Sequence, residues 1–299
     1  MTKKWIATPS RTNAILKRYN LDAKKSLGQN FLMEPQVLMD MVNAASIDET
    51  TDVIEIGPGI GALTEFLATH AQRVLAYELD DRLLPVLADE LGDFANLTVK
   101  HQDILKADIT ADIQEQFPSS ERLAVVANLP YYITTPILFH LLEASDQIKT
   151  YALMMQLEVA ERLIAKPGTK AYGAVTVAIQ YYCDATIATH VPRTVFKPRP
   201  NVDSAVLLLE RLAKPRVEVA DERLFFTVVR GSFQHRRKTL WNNLRGLFGK
   251  DPDITEALET ALAAVNIDPK RRAETLTIEE FAALVNQLSA DARIVKPTA

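Results

Sequence analysis

The residues Asn128-Leu129-Pro130-Tyr131 combine an amide side chain, a carbonyl held next to a proline and an aromatic ring. They follow the apolar run 123–127, whose length and composition are typical of a buried parallel strand. Open α/β sheets bind their ligands at the carboxyl ends of such strands. The sequence therefore predicts a functional site at this tetrapeptide.

The chemistry that these side chains suit is activation of the exocyclic amine of adenine, a poor nucleophile because its lone pair is delocalised into the ring. The side-chain oxygen of Asn128 and the carbonyl of Leu129 can each accept one N–H of that amine. Pro130 stiffens the turn, and Tyr131 offers a flat face on which a base can stack. The same residues also suit a strand-to-helix turn with a core tyrosine, so the motif alone leaves both interpretations open.

A second motif is a glycine-rich turn after the predicted strand at 51–56. Gly57, Gly59 and Gly61 have the spacing G-x-G-x-G, and Glu55 precedes the first of them by two positions. Glycines let a backbone approach a ligand closely, but this spacing lacks the third-glycine offset of the dinucleotide fingerprint, which argues against NAD. The positive charges of S-adenosylmethionine, in contrast, make a nearby carboxylate such as Glu55 useful.

Two further strands are predicted to end in acids. The first, 73–78, ends in Glu78, 21 residues after Gly57, which is the spacing at which a carboxylate accepts ribose hydroxyls. The second, 97–103, ends in Asp103, which can accept the amine of a cofactor adenine. Each acid alone also suits a helix cap, but suitable groups at four successive strand ends favour an α/β sheet that binds S-adenosylmethionine.

The proline-rich segment 195–205 is predicted to be a stiff, extended loop between two strand candidates. Phe196, at its start, is a candidate to stack on a base from the side opposite Tyr131. The alternative is a core phenylalanine beside a rigid linker.

The length of 299 residues predicts about two domains. We expect a basic N-terminal arm and cofactor-capping turn at 1–33, a Rossmann-like methyltransferase domain at 34–213 and a small all-α domain at 214–299. The single cysteine, the lack of a signal-like apolar segment and the lack of a long apolar run favour a cytoplasmic protein with no membrane partner. The histidines have no metal-ligand spacing, so no metal is expected.

The net charge is −4, yet cations are concentrated in two places. Residues 1–33 contain seven basic residues and one acidic residue, and segment 229–240 is predicted to continue a helix that buries an apolar stripe and exposes arginines. Solvated charged surfaces are the alternative interpretation. The candidates for contact with RNA phosphates are Lys24, Lys25, Arg236, Arg237 and Lys238.

Five motifs in order closely resemble the bacterial ribosomal RNA adenine dimethyltransferases of the KsgA (RsmA) type. They occupy residues 28–32, 55–61, 128–131, 196–205 and 233–240. The resemblance runs from about residue 24 to residue 288. It implies a Rossmann-like methyltransferase domain followed by a small helical domain, and it assigns cofactor contacts to Asn30, Leu32, Gly57, Glu78, Asp103 and Asn128.

The resemblance also implies a reaction. Two methyl groups pass from S-adenosylmethionine to N6 of each of two adjacent adenosines in a hairpin near the 3′ end of 16S rRNA, within the immature 30S subunit. Monomer is the default expectation for the oligomeric state.

Two other functions remain open at this level. One is a related methyltransferase that acts on large-subunit rRNA and confers antibiotic resistance, but the Val202-Asp203-Ser204 loop and the basic segment 236–240 favour the small-subunit type. The other is a non-catalytic factor that binds RNA or DNA on the same fold. The intact cofactor acids and the intact Asn128–Tyr131 turn argue against a loss of catalysis.

Overall fold

The computed structural model describes residues 4–24 and 27–294. These residues form two compact units. Unit 1 contains the described residues up to Ala160 together with Ala185–Arg211. Unit 2 contains Glu161–Asp184 together with the described residues from Leu212 onward.

The strands, in chain order, are β1 (Phe31–Leu32), β2 (Asp52–Ile56), β3 (Arg73–Glu78), β4 (Leu97–His101), β5 (Leu123–Asn128), β6 (Ile148–Gln156), β7 (Cys183–Val191), β8 (Phe196–Lys197) and β9 (Ser204–Arg211). Seven of them form one sheet in the order β4-β3-β2-β5-β6-β9-β7. The remaining two, β1 and β8, pair antiparallel with Leu32 opposite Phe196.

The helices are α1 (Pro9–Arg18), α2 (Pro35–Ala44), α3 (Ala62–His70), α4 (Leu84–Leu91), α5 (Ile109–Gln116), α6 (Thr134–Ala144), α7 (Leu157–Leu163), α8 (Ala174–Tyr182), α9 (Glu222–Ser232), α10 (Leu240–Phe248), α11 (Pro252–Ala264) and α12 (Ile278–Ala290). Within 4–24 and 27–294, none of the helices is both long and apolar enough to cross a membrane.

The five strands from β4 to β6 in the sheet order are mutually parallel, because helices return the chain between them. Every residue of β2 and the first five of β5 are buried, which is typical of parallel strands covered on both faces. Burial extends to Asp52, whose carboxylate is held by Arg73 at 2.8 and 2.7 Å. The predicted strands and the α/β fold class are confirmed, and their carboxyl ends lie at one edge of the sheet.

Residues 161–184 belong to unit 2, which differs from the predicted domain boundary at 213/214. The reason is aromatic packing that the sequence pattern did not reveal. Tyr181 of α8 lies 5.1 Å from the ring of Phe225 and 5.2 Å from that of Phe226, both in α9. These contacts bury α8 in the core of the helical unit.

The N-terminal segment differs from the predicted basic arm, because α1 packs on unit 1 and buries Thr12 and Ile15. Arg11 lies inside this contact, 2.7 Å from Glu65 and 2.9 Å from Glu90, and its side chain is only 11% exposed. Glu65 also accepts the backbone N–H of Ile6 at 2.7 Å. At least one cation of the arm therefore serves the fold and is not available to phosphate.

We expect Arg11→Ala to lower the free energy of unfolding by about 3 kcal/mol, because it leaves the poorly solvated carboxylate of Glu65 without its cation and leaves Glu90 with the more distant Arg18, at 3.7 Å. Lys17→Ala, which removes an exposed cation from the same helix, should change it by less than about 0.5 kcal/mol. Urea denaturation measures both values. Equal stability of the two variants would show that Arg11 does not fasten α1 to the sheet domain.

Candidate active site

A cavity opens at the carboxyl edge of the sheet in unit 1. The space between its lining atoms, part of it open to solvent, is about 1090 Å³. The ends of β2, β3 and β5 and the residues after β4 contribute to its wall. The predicted site residues that line it are Asn30, Leu32, Glu55, Gly57, Gly59, Glu78, Asp103, Asn128, Leu129, Pro130 and Tyr131.

The glycine turn after β2 provides open backbone at the cavity wall. Gly57 has φ of 68°, and a Cβ built there would meet no atom within 4 Å, so a side chain would occupy space that a ligand can use. Gly61 differs from the prediction, because it is not among the residues that line the cavity. A Cβ at Gly61 would come within 2.6 Å of Leu91, so this glycine permits close packing of α3 against α4.

Glu78 at the end of β3 is a buried carboxylate held by backbone donors. One oxygen accepts the N–H of Asp80 at 2.7 Å and the other accepts that of Gly59 at 3.0 Å. Burial raises the pKa of Glu78, and these N–H donors oppose the increase. A carboxylate has about four acceptor sites, so each oxygen can still accept a ligand hydroxyl.

Asp103 also lines the cavity, but it has a local structural partner. Its side chain accepts the backbone N–H of Leu105 at 3.0 Å and caps the short helical turn that follows β4. Asp103 can therefore cap this turn and also bind a ligand, because the cap uses only part of the hydrogen-bond acceptor capacity of the carboxylate.

Glu55 is the least satisfied group of the cavity. It is completely buried, and neither of its carboxylate oxygens has a hydrogen-bond partner within the described parts of the chain. Burial raises the pKa of Glu55 to about 8, and the nearby Glu78 adds to the increase. The hydroxyl of Thr64 opposes it but makes no hydrogen bond of normal geometry.

The Asn128–Tyr131 turn lines the cavity and contains two candidate acceptors. The amide nitrogen of Asn128 donates to the carbonyl of Asn30 at 3.4 Å, which leaves the amide oxygen as the acceptor. The N–H of Leu129 is bonded to Met154 at 3.0 Å, whereas its carbonyl oxygen accepts no hydrogen bond from the residues that the structure describes. The carbonyl of Pro130 is used by Ile133 and Thr134 at the start of α6.

Tyr131 is half-buried and its ring is fixed at the hydroxyl end. The phenol oxygen lies 2.7 Å from the hydroxyl of Ser204, a fully buried residue at the start of β9. Burial raises the pKa of Tyr131, so the phenol stays neutral near pH 7. Ser204 belongs to the proline-rich motif, and the sequence did not reveal that it positions the tyrosine.

Tyr132 is a further residue of the site that the sequence did not indicate. It lines the mouth of the cavity with 55% of its surface exposed. A Cβ at Gly28 would lie 3.4 Å from its ring, so the glycine lets the N-terminal turn lie against the tyrosine. Its position directly after the Asn-Leu-Pro-Tyr motif was the available signal.

The structure does not place Phe196 at the cavity, in contrast to the prediction that it stacks on a base. Phe196 is 3% exposed and belongs to the core of unit 1. It pairs with Leu32 across β8 and β1, and the adjacent Val195 accepts the N–H of Met33 at 2.8 Å. In this position it supports the N-terminal turn, which corresponds to the core interpretation.

The predicted RNA-binding cations have different surroundings. Lys24 lies 2.9 Å from the buried carboxylate of Asp80, and Lys25 lies outside the described residues. Arg236 is exposed but donates to the carbonyls of Lys170 and Tyr172 at 2.6 and 3.1 Å. Arg237 and Lys238 are exposed.

The basic segment lies in a loop and not on the predicted helix, because α9 ends at Ser232 and α10 begins at Leu240. The N–H of Leu240 donates to Arg271 at 2.7 Å and that of Trp241 donates to Pro269 at 3.1 Å. Together with the bonds of Arg236 to Lys170 and Tyr172, these contacts join three loops of unit 2, at 164–173, 233–239 and 265–277. Their exposed cations include Lys170, Arg236, Arg237, Lys238, Lys270 and Arg272.

The fold and the cavity define a class of protein. A parallel sheet presents a glycine turn, a ribose-compatible carboxylate at Glu78 and a buried, unpartnered carboxylate at Glu55 that suits the ammonium group of S-adenosylmethionine. These residues fit that cofactor. The chain is a Rossmann-like methyltransferase that depends on S-adenosylmethionine.

Comparisons with known proteins give the family. A family model described as "Ribosomal RNA adenine dimethylase" matches residues 20–289. A protein of Enterococcus faecalis named "Ribosomal RNA small subunit methyltransferase A" is 55% identical over 95% of this chain and 97% of its own length. One of the same name from Streptococcus gordonii is 54% identical over 96% of this chain and 99% of its own. The chain belongs to the ribosomal RNA adenine dimethylase family.

Solved structures agree with this assignment. A dimethyladenosine transferase from Plasmodium falciparum has a TM-score of 0.72 and 25% identity, and the match covers 86% of this chain and 97% of that one. The 23S rRNA methyltransferase ErmE has a TM-score of 0.64 and 29% identity, covering 86% of this chain and 99% of that one. The small-subunit relatives are thus much more similar in sequence than this large-subunit enzyme.

The buried carboxyl of Glu55 predicts a specific pH dependence of stability. Its pKa is raised from 4.5 to about 8 in the folded chain, so between these values the folded state keeps a proton that the unfolded state has lost. The free energy of unfolding should therefore fall as pH rises from 5 to 8, with a slope of at most about 1.4 kcal/mol per pH unit from this group.

Glu55→Gln keeps the shape but removes the titration, so its stability should fall less over the same range. Glu49→Gln, at an exposed position, is the matched control and should follow the wild type. Urea denaturation between pH 5 and 8 measures the slopes. If the free energy of unfolding of Glu55→Gln falls with pH as steeply as that of the wild type, Glu55 is not the group that keeps a proton in the folded state.

Proposed function

We propose that this chain transfers methyl groups from S-adenosylmethionine to N6 of two adjacent adenosines in a hairpin near the 3′ end of 16S rRNA. The observation that carries the proposal is the Asn128–Tyr131 turn, which presents two acceptors and an aromatic ring in the cavity that also contains Glu78 and Glu55. The high identity to relatives named as small-subunit methyltransferases supports the choice of rRNA.

S-adenosylmethionine, when bound, supplies an electrophilic methyl group. On this proposal, Glu78 accepts the ribose hydroxyls and Asp103 accepts the adenine amine. Gly57 and Gly59 allow the backbone to approach, and Asn30 and Leu32 contribute from the N-terminal turn. Glu55 keeps its proton in the free chain, and the positive charge at the methionine end would favour its ionised form when the cofactor binds.

Catalysis by the chain itself consists of holding the target amine. The oxygen of Asn128 and the carbonyl of Leu129 each accept one N–H, which directs the nitrogen lone pair out of the ring plane. Tyr131 stacks on the base, and Ser204 holds the tyrosine ring in place. After the first methyl transfer one N–H remains, so the same acceptors serve the second round.

The reaction needs no general base. When the bond between N6 and the methyl carbon forms, the methyl–sulfur bond breaks and neutral S-adenosylhomocysteine would be the leaving group. The positive charge thereby passes to the nitrogen, whose proton becomes strongly acidic and can leave to water. Tyr131 is suited to stacking and not to proton abstraction, since burial raises the pKa of its phenol.

The partner surface is the group of exposed cations on the three loops of unit 2. Arg237, Lys238, Lys270 and Arg272 face solvent, and phosphate contacts fix register without reading sequence. The substrate context that fits this assignment is the immature 30S subunit in the cytoplasm, with the enzyme acting as a monomer.

The test of the proposed reaction is tritiated methyl transfer to purified, unmethylated small subunits compared with large subunits. We expect Asn128→Ala to reduce single-turnover methylation of small subunits about 100-fold or more, because a preorganised contact to the reacting group is lost. Asn43→Ala, at an exposed position of α2, should keep wild-type activity. Methylation of large subunits in preference to small ones would refute the substrate assignment, and an active Asn128→Ala would refute the role of the amide.

Removal of three exposed cations tests the RNA surface. The triple variant Arg236→Ala, Arg237→Ala, Lys238→Ala should bind small subunits more weakly and reduce the slope of log affinity against log salt by about 2, since Arg236 is partly used within unit 2. The matched control changes Lys214, Arg223 and Lys250, three exposed cations elsewhere in unit 2, to Ala. Filter binding across salt concentrations measures the slopes, and equal slopes for the two triples would place the RNA elsewhere.

A further inference from the structure

Asp80 is a buried carboxylate that the reaction described above does not use. It lies two residues after Glu78, and its side chain has no solvent exposure. Arg82 forms two bonds to it, from Nε to Oδ1 at 3.0 Å and from Nη2 to Oδ2 at 2.6 Å. Arg82, Lys24 and Gln29 together hold the pKa of Asp80 far below its usual range, so it is a permanent anion.

The remaining partners of Asp80 come from the N-terminal turn that contributes to the cavity. Lys24 Nζ lies 2.9 Å from Oδ1, and Gln29 Nε2 lies 2.9 Å from Oδ2. Gln29 Oε1 accepts the backbone N–H of Lys24 at 2.8 Å, which closes the turn on itself. One carboxylate therefore holds both Lys24 and Gln29.

The contacts continue from this anchor to both sides of the cavity. The backbone N–H of Asp80 donates to Glu78 at 2.7 Å, so any shift of Asp80 also disturbs the proposed ribose ligand. On the other side, the residue after Gln29 is Asn30, whose carbonyl accepts from Asn128 at 3.4 Å. The turn thus lies between the cofactor acid and the amide that orients the substrate.

Besides this anchor, the described residues of the turn are held by bonds within the turn and by the strand β1 that follows. The internal bonds run from Leu27 and Gln29 to the carbonyl of Lys24, at 3.1 and 3.3 Å, and from Asn30 Nδ2 to the carbonyl of Gly28 at 2.9 Å. The strand β1 pairs with β8 over only two residues. Such a short segment cannot be held by its own secondary structure, since a single hydrogen-bonded turn does not repay its conformational entropy.

We propose that Asp80 is a positioning residue that, through Lys24 and Gln29, fastens residues 27–32 at the wall of the cofactor cavity, and that Lys24 is used for this anchor and not for RNA. The inference rests on the proposed cofactor site. It predicts that loss of the anchor reduces cofactor retention while the acceptors for the target amine stay in place.

The experiment compares Asp80→Asn with Asp81→Asn in the full chain. Both remove one carboxylate at neighbouring positions, but Asp81 is exposed and makes no hydrogen bond to the turn among the described residues. We expect Asp80→Asn to weaken the binding of S-adenosylmethionine about tenfold, as measured by calorimetry. The KM for S-adenosylmethionine should rise, whereas kcat at saturating cofactor should change less than about threefold. Asp81→Asn should match the wild type.

Amide hydrogen exchange in peptides that cover residues 27–32 provides a readout that needs no activity. Exchange there should increase at least threefold in Asp80→Asn without cofactor, and peptides from β5 should not change. Because Asp80→Asn can also weaken the contact with Arg82, the double variant Lys24→Ala, Gln29→Ala tests the anchor from the other side. It should reproduce both effects while the Asp80–Arg82 pair remains.

Glu78→Ala separates this inference from the proposed cofactor site. If Glu78→Ala weakens cofactor binding but Asp80→Asn and the double variant change neither affinity nor exchange, the anchor is refuted and the cofactor site stands. If none of the variants changes affinity, both the cofactor site and the anchor are refuted. The triple variant Lys24→Ala, Gln29→Ala, Asp80→Asn should bind S-adenosylmethionine less than twofold more weakly than Asp80→Asn alone. If the losses of affinity in the double and single variants add up in the triple variant, the residues do not share one anchor.

Discussion

A buried carboxylate must have either hydrogen-bond donors, a cation or a proton, and the ligand-binding edge of this sheet meets that requirement in three different ways. Glu78 has backbone N–H donors, Asp80 has cations and an amide, and Glu55 has a raised pKa that favours its protonated form. The donors of Glu78 come from the glycine turn and from Asp80, so Glu78 depends on Asp80. Glu78 in turn adds to the raised pKa of Glu55.

The features that were predictable from the sequence were local ones. Strands β2, β3 and β5 are visible in the sequence as apolar runs. In a parallel sheet their carboxyl ends lie at the same edge. Glu78 and Asn128 end their strands and Asp103 lies two residues after the end of β4, so their convergence follows from the fold class alone. No long-range packing information was needed to find them.

The features that could not be predicted depend on contacts between distant segments. Phe196 is a core residue because β8 pairs with β1, and a proline-rich neighbourhood carries no sign of that pairing. Lys24 reads as a free cation because its partner, Asp80, is 56 positions away in the chain. The boundary of the helical unit was misplaced for the same reason, since α8 finds its aromatic partners in α9. Hydrophobic periodicity indicates which face of a helix or strand is buried, but it does not indicate which other segment packs against that face.

The pairing of β1 with β8 has a consequence for biosynthesis. Strands β2 to β5, with Glu55, Glu78 and Asn128, are complete once residue 128 has left the ribosome, whereas Leu32 cannot pair until Phe196 has emerged, about two thirds of the way along the chain. A chain that folds during synthesis therefore forms the floor of its ligand site first and closes the N-terminal segment over it much later. Between these two events the nascent enzyme contains Glu55, Glu78 and Asn128 but lacks β8, the strand with which Leu32 pairs.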